Sequence, residues 1–150
     1  KKYTGKNYYK VDKFLVANFS LPSFETYDSV QVNYKKNDNK YIIHSIGGDI
    51  DYYNNIEDCY KKKDEVVADI TELLKGQAEI NDYDIYPHSP AYPNSTIKSV
   101  EMEFESGAII RIYCLDWSEK VEKEENWSDH LAVSISTKEF SDWLNYEAYQ

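Results

Sequence analysis

Apolar and polar positions alternate most clearly from Ser29 onward, where Val30, Val32 and Tyr34 are separated by polar residues. The Lys36-Asn37-Asp38-Asn39 tetrad has turn chemistry, and Tyr41, Ile42, Ile43 and Ile46 form a second β-rich run. Together they predict a hairpin. Gly47-Gly48 is expected to break or bulge its second strand, with Asp49 to Tyr53 as a continuation. Residues 1 to 28 carry an apolar patch at Phe14, Leu15 and Val16 but no pattern that assigns an element.

The period then changes from two to 3.6. Ile56, Cys59, Tyr60, Lys63, Val66 and Val67 fall on one helical stripe, continued by Ile70, Leu73 and Leu74. Lys63 alone is out of character. Asn54 or Asn55 can cap the start, Glu57 and Asp58 suit the positive end of the helix dipole, and Gly76 suits the stop. A helix over 56–75 follows.

Residues 77–96 read as a long polar connection with Pro87, Pro90 and Pro93. After it, Val100, Met102 and Phe104 alternate with Glu101, Glu103 and Glu105. A turn at Glu105-Ser106-Gly107 starts a return strand at Ala108. Pairing Phe104 with Ala108 sets Met102 opposite Ile110, Val100 opposite Ile112, and Glu101 opposite Arg111 on the other face. A charged excursion, 116–129, has room for a short helix, and its echo of Trp117-Ser118-Glu119 in Trp127-Ser128-Asp129 is too short for a repeat. Leu131, Val133 and Ile135 form a last strand. Ser136 and Glu139 form a capping-box signature for a terminal helix that buries Phe140, Trp143 and Leu144. The expected fold is a single α+β domain over 1–150. Its antiparallel sheet is an N-terminal hairpin plus a three-stranded C-terminal segment, covered by one long central helix and a short C-terminal helix.

Register also bears on the cysteines. By parity Cys114 shares the inward face of Ile110 and Ile112, and Cys59 lies on the inward stripe of the helix. Two readings fit: a disulfide, or two buried thiols acting as small hydrophobes. The chain starts Lys1-Lys2 rather than Met, which fits a mature segment after removal of a targeting sequence and equally a trimmed chain. With the disulfide put ahead, the expectation is an extracytoplasmic protein, periplasmic or secreted.

Composition narrows the partners. The net charge of −10 disfavours phosphate, so nucleic acid is not expected; the same field would attract a basic partner, or is simply a solvated acidic surface. No apolar run reaches the ~18 residues that span a bilayer, so no integral membrane segment is expected. Fifteen tyrosines suit a recognition surface, and the abundance of Lys, Asn, Asp and Ile alongside them fits AT-rich codons.

Chemistry is scarce by comparison. There is no glycine-rich phosphate loop, Gly-x-Ser-x-Gly elbow or His-Glu-x-x-His. Glu101, Glu103 and Glu105 read as a solvent face balanced by Arg111 and Lys98, His44 as structural, and His130 as orienting its turn beside Asp129. Asp49-Ile50-Asp51 and Asn81-Asp82-Tyr83-Asp84 resemble fragments of calcium loops without the Gly and bidentate Glu, so no metal or cofactor is expected. The Asn-x-Ser/Thr triplets at Asn18, Asn94 and Asn126 are close to chance frequency.

Contact is expected at the Tyr/Pro-rich loop 81–93, through Tyr83, Asp84, Tyr86, His88 and Tyr92. Prolines reduce the entropy lost on binding, and tyrosines add area with hydrogen-bonding tips. The same tyrosines could instead pack down and close a crossover. A non-catalytic, exported binding domain for a protein or small molecule leads on these grounds. An acidic inhibitor or immunity-type protein capping a basic partner comes second, and a small carboxylate-dependent hydrolase third.

Overall fold

A computed structural model describes residues 9–20, 23 and 25–150. Lys1 and Lys2, and the processed start read from them, lie outside the described residues. Seven antiparallel strands form one sheet: β1 (Phe14–Phe19), β2 (Ser29–Lys35), β3 (Ile43–Asp51), β4 (Ala78–Ser89), β5 (Tyr92–Phe104), β6 (Ile109–Asp116) and β7 (His130–Ser136). Their order is β1-β2-β3-β7-β6-β5-β4, so the last strand inserts between the two halves. The helices are α1 (Ile56–Leu74), α2 (Glu119–Glu125) and α3 (Lys138–Tyr146).

The expected architecture is overturned by this sheet. Residues 77–96, expected to be a loop, form β4 and the start of β5, and Phe14–Phe19 adds a strand that the pattern left unassigned. One long helix does not cover the sheet. Seven strands at ~4.8 Å spacing span about 29 Å, whereas one helix with its side chains is ~10–12 Å wide. α1 packs on β6 and β7. Ile46 and Ile135, farther out on the same face, remain 42% and 46% exposed.

Where one face is buried, the expected details hold. Met102 pairs with Ile110, Val100 with Ile112 and Glu101 with Arg111. Gly107 takes φ +77° at the turn, and Phe104 N–H donates to the Ala108 carbonyl at 2.9 Å. The Asn55 side chain accepts from Asp58 N–H at the start of α1, and Lys75 ends it in the left-handed conformation. Val100, Met102, Ile112 and Leu131 form the core beneath α1 with Cys59 and Cys114. Those two cysteines are joined by a disulfide with Cα atoms 6.1 Å apart. Lys63, the odd residue on the stripe, is 2% exposed and brings its ammonium 2.8 Å from Asp64 Oδ1. Leu73, placed on the stripe, is 75% exposed instead.

Two local expectations are corrected. Gly47 and Gly48 run through β3 without a break, and the register shifts where Asn33 and Tyr34 of β2 face Ser45 and Ile43, which leaves His44 as the extra residue of β3. Thr137, not Ser136, caps α3 by accepting from Phe140 N–H; Ser136 stays in β7 and donates to Ser45 Oγ at 2.9 Å. Glu139 pairs with Lys35 at 2.8 Å rather than closing a capping box.

Candidate functional site: an aromatic-walled cleft on the sheet

Strand parity sends apolar residues of β6 and β7 toward α1 and leaves a second face of different character. Across β2, β3, β7 and β6 the register aligns Gln31 with Gly47, Ser134 and Arg111, and aligns Ser29 with Asp49, Ala132 and Tyr113. This face is polar. α3 closes one end of it through a cluster of Phe14, Phe140 and Trp143, with Tyr9 stacked edge-on to Trp143 at 4.7 Å.

Two cavities of about 310 and 900 Å³ open on this face, and Tyr9, Gln31, Tyr113, His130 and Tyr149 line both. They form one cleft. Its smaller end has Asn33, Ser45, Asp49 and Arg111 on the floor. The larger end is walled by His88, Tyr92, Trp117 and Trp127.

The wall is built by the excursion between β6 and β7. Trp117 precedes α2 and Trp127 follows it, and their rings meet at 4.7 Å. Val121 on α2 buries against Leu115 and Trp117, which pins the excursion to the sheet. Asp129 secures its base, because Oδ1 accepts from Trp117 N–H at 2.8 Å and its carbonyl accepts from Tyr52 N–H at 2.7 Å. Tyr92 adds its ring at 5.3 Å from Trp117 and 5.4 Å from Trp127, and His88 lies 5.2 Å from Trp117.

Burial sets the protonation of the floor. It pushes the Asp49 carboxyl above its ordinary range, against the Ser29 hydrogen bond and the pull of His130, with Asp51 adding repulsion. Burial also pushes the Tyr113 phenol up to about 12, aided by Asp49, and the Tyr9 phenol up to about 12, aided by Tyr149 and Tyr113. Both phenols therefore keep their proton near neutral pH. Burial raises Asp129 to about 6 despite the Trp117 hydrogen bond. Asp51 accepts from Ser128 Oγ at 2.9 Å. His130 Nδ1 lies 3.0 Å from the Ser128 carbonyl, so a neutral ring donates there and offers Nε2 as an acceptor. Arg111 is held by Glu101, with Nη2 at 2.6 Å and Nε at 2.7 Å from Oε1.

The residues expected to form one contact surface divide between two places. His88 and Tyr92 line the cleft. Tyr83, Asp84 and Tyr86 lie on β4, the sheet edge, where Tyr83 is 44% and Tyr86 38% exposed. Tyr86 OH is 3.2 Å from Ser99 Oγ, and Asp84 Oδ1 accepts from Ile85 N–H. The tryptophans and the polar floor were not singled out as a site. The one signal in the sequence was the pair of Trp-Ser dipeptides bracketing the excursion. Among the described residues no group of three or more His, Cys, Asp or Glu converges as a metal site, and no helix is long and apolar enough to cross a membrane.

A 74-residue stretch is 39% identical to a UPF0182 protein of Clostridium botulinum (strain Hall, type A) and 38% identical to a UPF0182 protein of the type F strain Langeland. The likeness is partial. It covers 49% of this chain, which spans about 7% of the length of the curated relatives it matches. No family model matches the chain, and no solved structure matches it.

Proposed function

We propose that this chain is a non-catalytic, exported binding module whose ligand seat is the cleft on the face of the sheet opposite α1. The observation that carries the reading is the 900 Å³ end of the cleft, where His88, Tyr92, Trp117 and Trp127 stand beside polar side chains. That volume lies within the ~300–1,000 Å³ of small-molecule sites, and apolar walls with a few placed polar groups are their usual build. The buried disulfide supports the exported setting, because such bonds persist in oxidising compartments.

Amide chemical-shift mapping with a chemically mixed fragment library tests the seat without assuming a ligand class. Shifts clustered at Tyr92, Trp117, Trp127 and His130 are expected. Shifts confined to the β4 edge around Tyr83 and Asp84 would move the contact surface there and favour a basic protein partner, since Glu79, Asp82 and Asp84 line that strand.

A second reading, a carboxylate-dependent hydrolase, is favoured by one feature: Asp49 and Asp51 both line the cleft, and Asp49 is shifted upward. Recovery of a bound ligand unaltered supports binding alone. Turnover abolished by Asp49→Asn would decide for the enzyme.

A further inference from the structure

We infer that the cleft takes an uncharged, hydroxyl-rich ring ligand, a pyranoside or short oligosaccharide, stacked on the aromatic wall and hydrogen-bonded to the sheet floor. This rests on the cleft being the binding seat. Four observations select that class.

The wall is a packed cluster of rings inclined at 46 to 78° to one another, and not a cage. The rings of Tyr92, Trp117 and Trp127 pack on one another at 4.7 to 5.4 Å, so no space between them can admit an ammonium group. Cation recognition by aromatic cages needs the cation over ring faces that surround it. The half-buried rings of Tyr92 and Trp127 can instead offer a face to a flat apolar surface, and a pyranose presents one through its ring C–H groups.

The floor mixes donors and acceptors, as a polyol requires. Gln31 Nε2 donates to Asn18 Oδ1 at 3.0 Å, which leaves Gln31 Oε1 as an acceptor. His130 Nε2 and Asp51 add acceptors, and the protonated phenols of Tyr9 and Tyr113 add donors.

Two buried polar atoms of lining residues have no partner among the described residues. These are the indole N–H of Trp117, a residue 8% exposed, and Oδ1 of Asn33, a residue 3% exposed. A buried donor or acceptor left unpaired is costly, because it has given up water without gaining a partner. Both atoms are closed to solvent, so pairing either one with a ligand hydroxyl requires a small shift of its side chain.

Finally, the cleft is poor in free cationic charge. Among the described residues, Arg111 is the one Lys or Arg along both ends, and it is held by Glu101. Phosphorylated or carboxylated ligands thus find no bidentate partner. The larger end, at about 900 Å³, gives room for more than one ring.

The test uses the intact chain with maltotriose, cellotriose and the trimer of N-acetylglucosamine as probes, followed by tryptophan fluorescence and saturation-transfer NMR. Choline and glucose 6-phosphate serve as charged comparators. At least one trisaccharide should bind with a fluorescence change. Its Kd should differ by less than twofold between 50 and 500 mM NaCl. Trp127→Ala should weaken it tenfold or more, Gln31→Ala severalfold, and Tyr83→Ser not at all. Gln31→Ala keeps the test valid if Trp127→Ala fails to fold. Failure of all three trisaccharides overturns the ligand class, as does binding of choline with a steep salt dependence. If fragments still map to the cleft, the binding seat survives that failure. Trisaccharide binding that Trp127→Ala and Gln31→Ala leave unchanged overturns the seat and the class together.

Discussion

At the scale of single residues, Asp129 carries the sharpest consequence. It is 5% exposed, it holds Trp117 through the backbone N–H, and burial lifts its carboxyl from 3.8 to about 6. An acid whose folded pKa is raised binds its proton more tightly folded than unfolded. Its contribution is therefore fully present below about pH 4 and is lost as pH rises toward 6. Asp129→Asn keeps an oxygen to accept from Trp117 and removes the titration. The variant should match the parent in urea unfolding near pH 4 and exceed it at pH 7. A shift of about two units bounds the gain at about 3 kcal/mol. Parallel stability curves for parent and variant from pH 4 to 7 would show that the carboxyl does not titrate against folding. The same substitution leaves the wall in place, so fluorescence of Trp117 and Trp127 should change little.

At the scale of elements, β3 shows what a glycine pair does in a continuous strand. A Cβ on Gly48 would lie 2.6 Å from Tyr27 Cδ1 and 2.9 Å from Cε1, because the Tyr27 ring covers the Gly48 backbone. Gly48→Ala should thus displace Tyr27 and cost about 1–3 kcal/mol, the usual range for overpacking. The same change in a Tyr27→Ala background should cost much less, and equal costs in the two backgrounds would mean that the ring is not the obstacle. The pair also explains why the sequence pointed to a bulge here. Glycine in a strand signals either irregular backbone or close approach, and only the Tyr27 ring decides between them.

Legibility along the rest of the chain follows the same physics. The Val100–Ile112 register could be read because one face is buried and the other solvated, which forces strict alternation. β4 could not, because most of its residues face solvent on the sheet edge, where Pro87 is tolerated and the register with β5 shifts on either side of it. The cleft was even less accessible. Its floor joins Gln31, Asp51, Tyr113 and His130 only because β7 pairs with β3 on one side and β6 on the other, a non-local choice that no short window encodes.

At the scale of the molecule, the Cys59–Cys114 bond ties α1 to β6 across 55 residues of chain that include β4 and β5. β4 touches the rest of the sheet through β5 alone, so this half depends on few anchors. Closing a loop of that length removes denatured-state entropy worth about 4 kcal/mol in the chain-entropy account. Both sulfurs belong to fully buried residues within the apolar cluster of Met102, Ile112 and Leu131, so the bond sits where reductant reaches it only after opening. Replacing both cysteines by Ala should lower stability by about 2–5 kcal/mol, read as a fall in the urea midpoint with little change in slope. Folded parent protein should resist thiol labelling in mild reductant and become labelled once urea is added. Ready labelling of the folded chain, or an unchanged midpoint in the double variant, would break the link between the two halves. It would also remove the main support for an oxidising compartment.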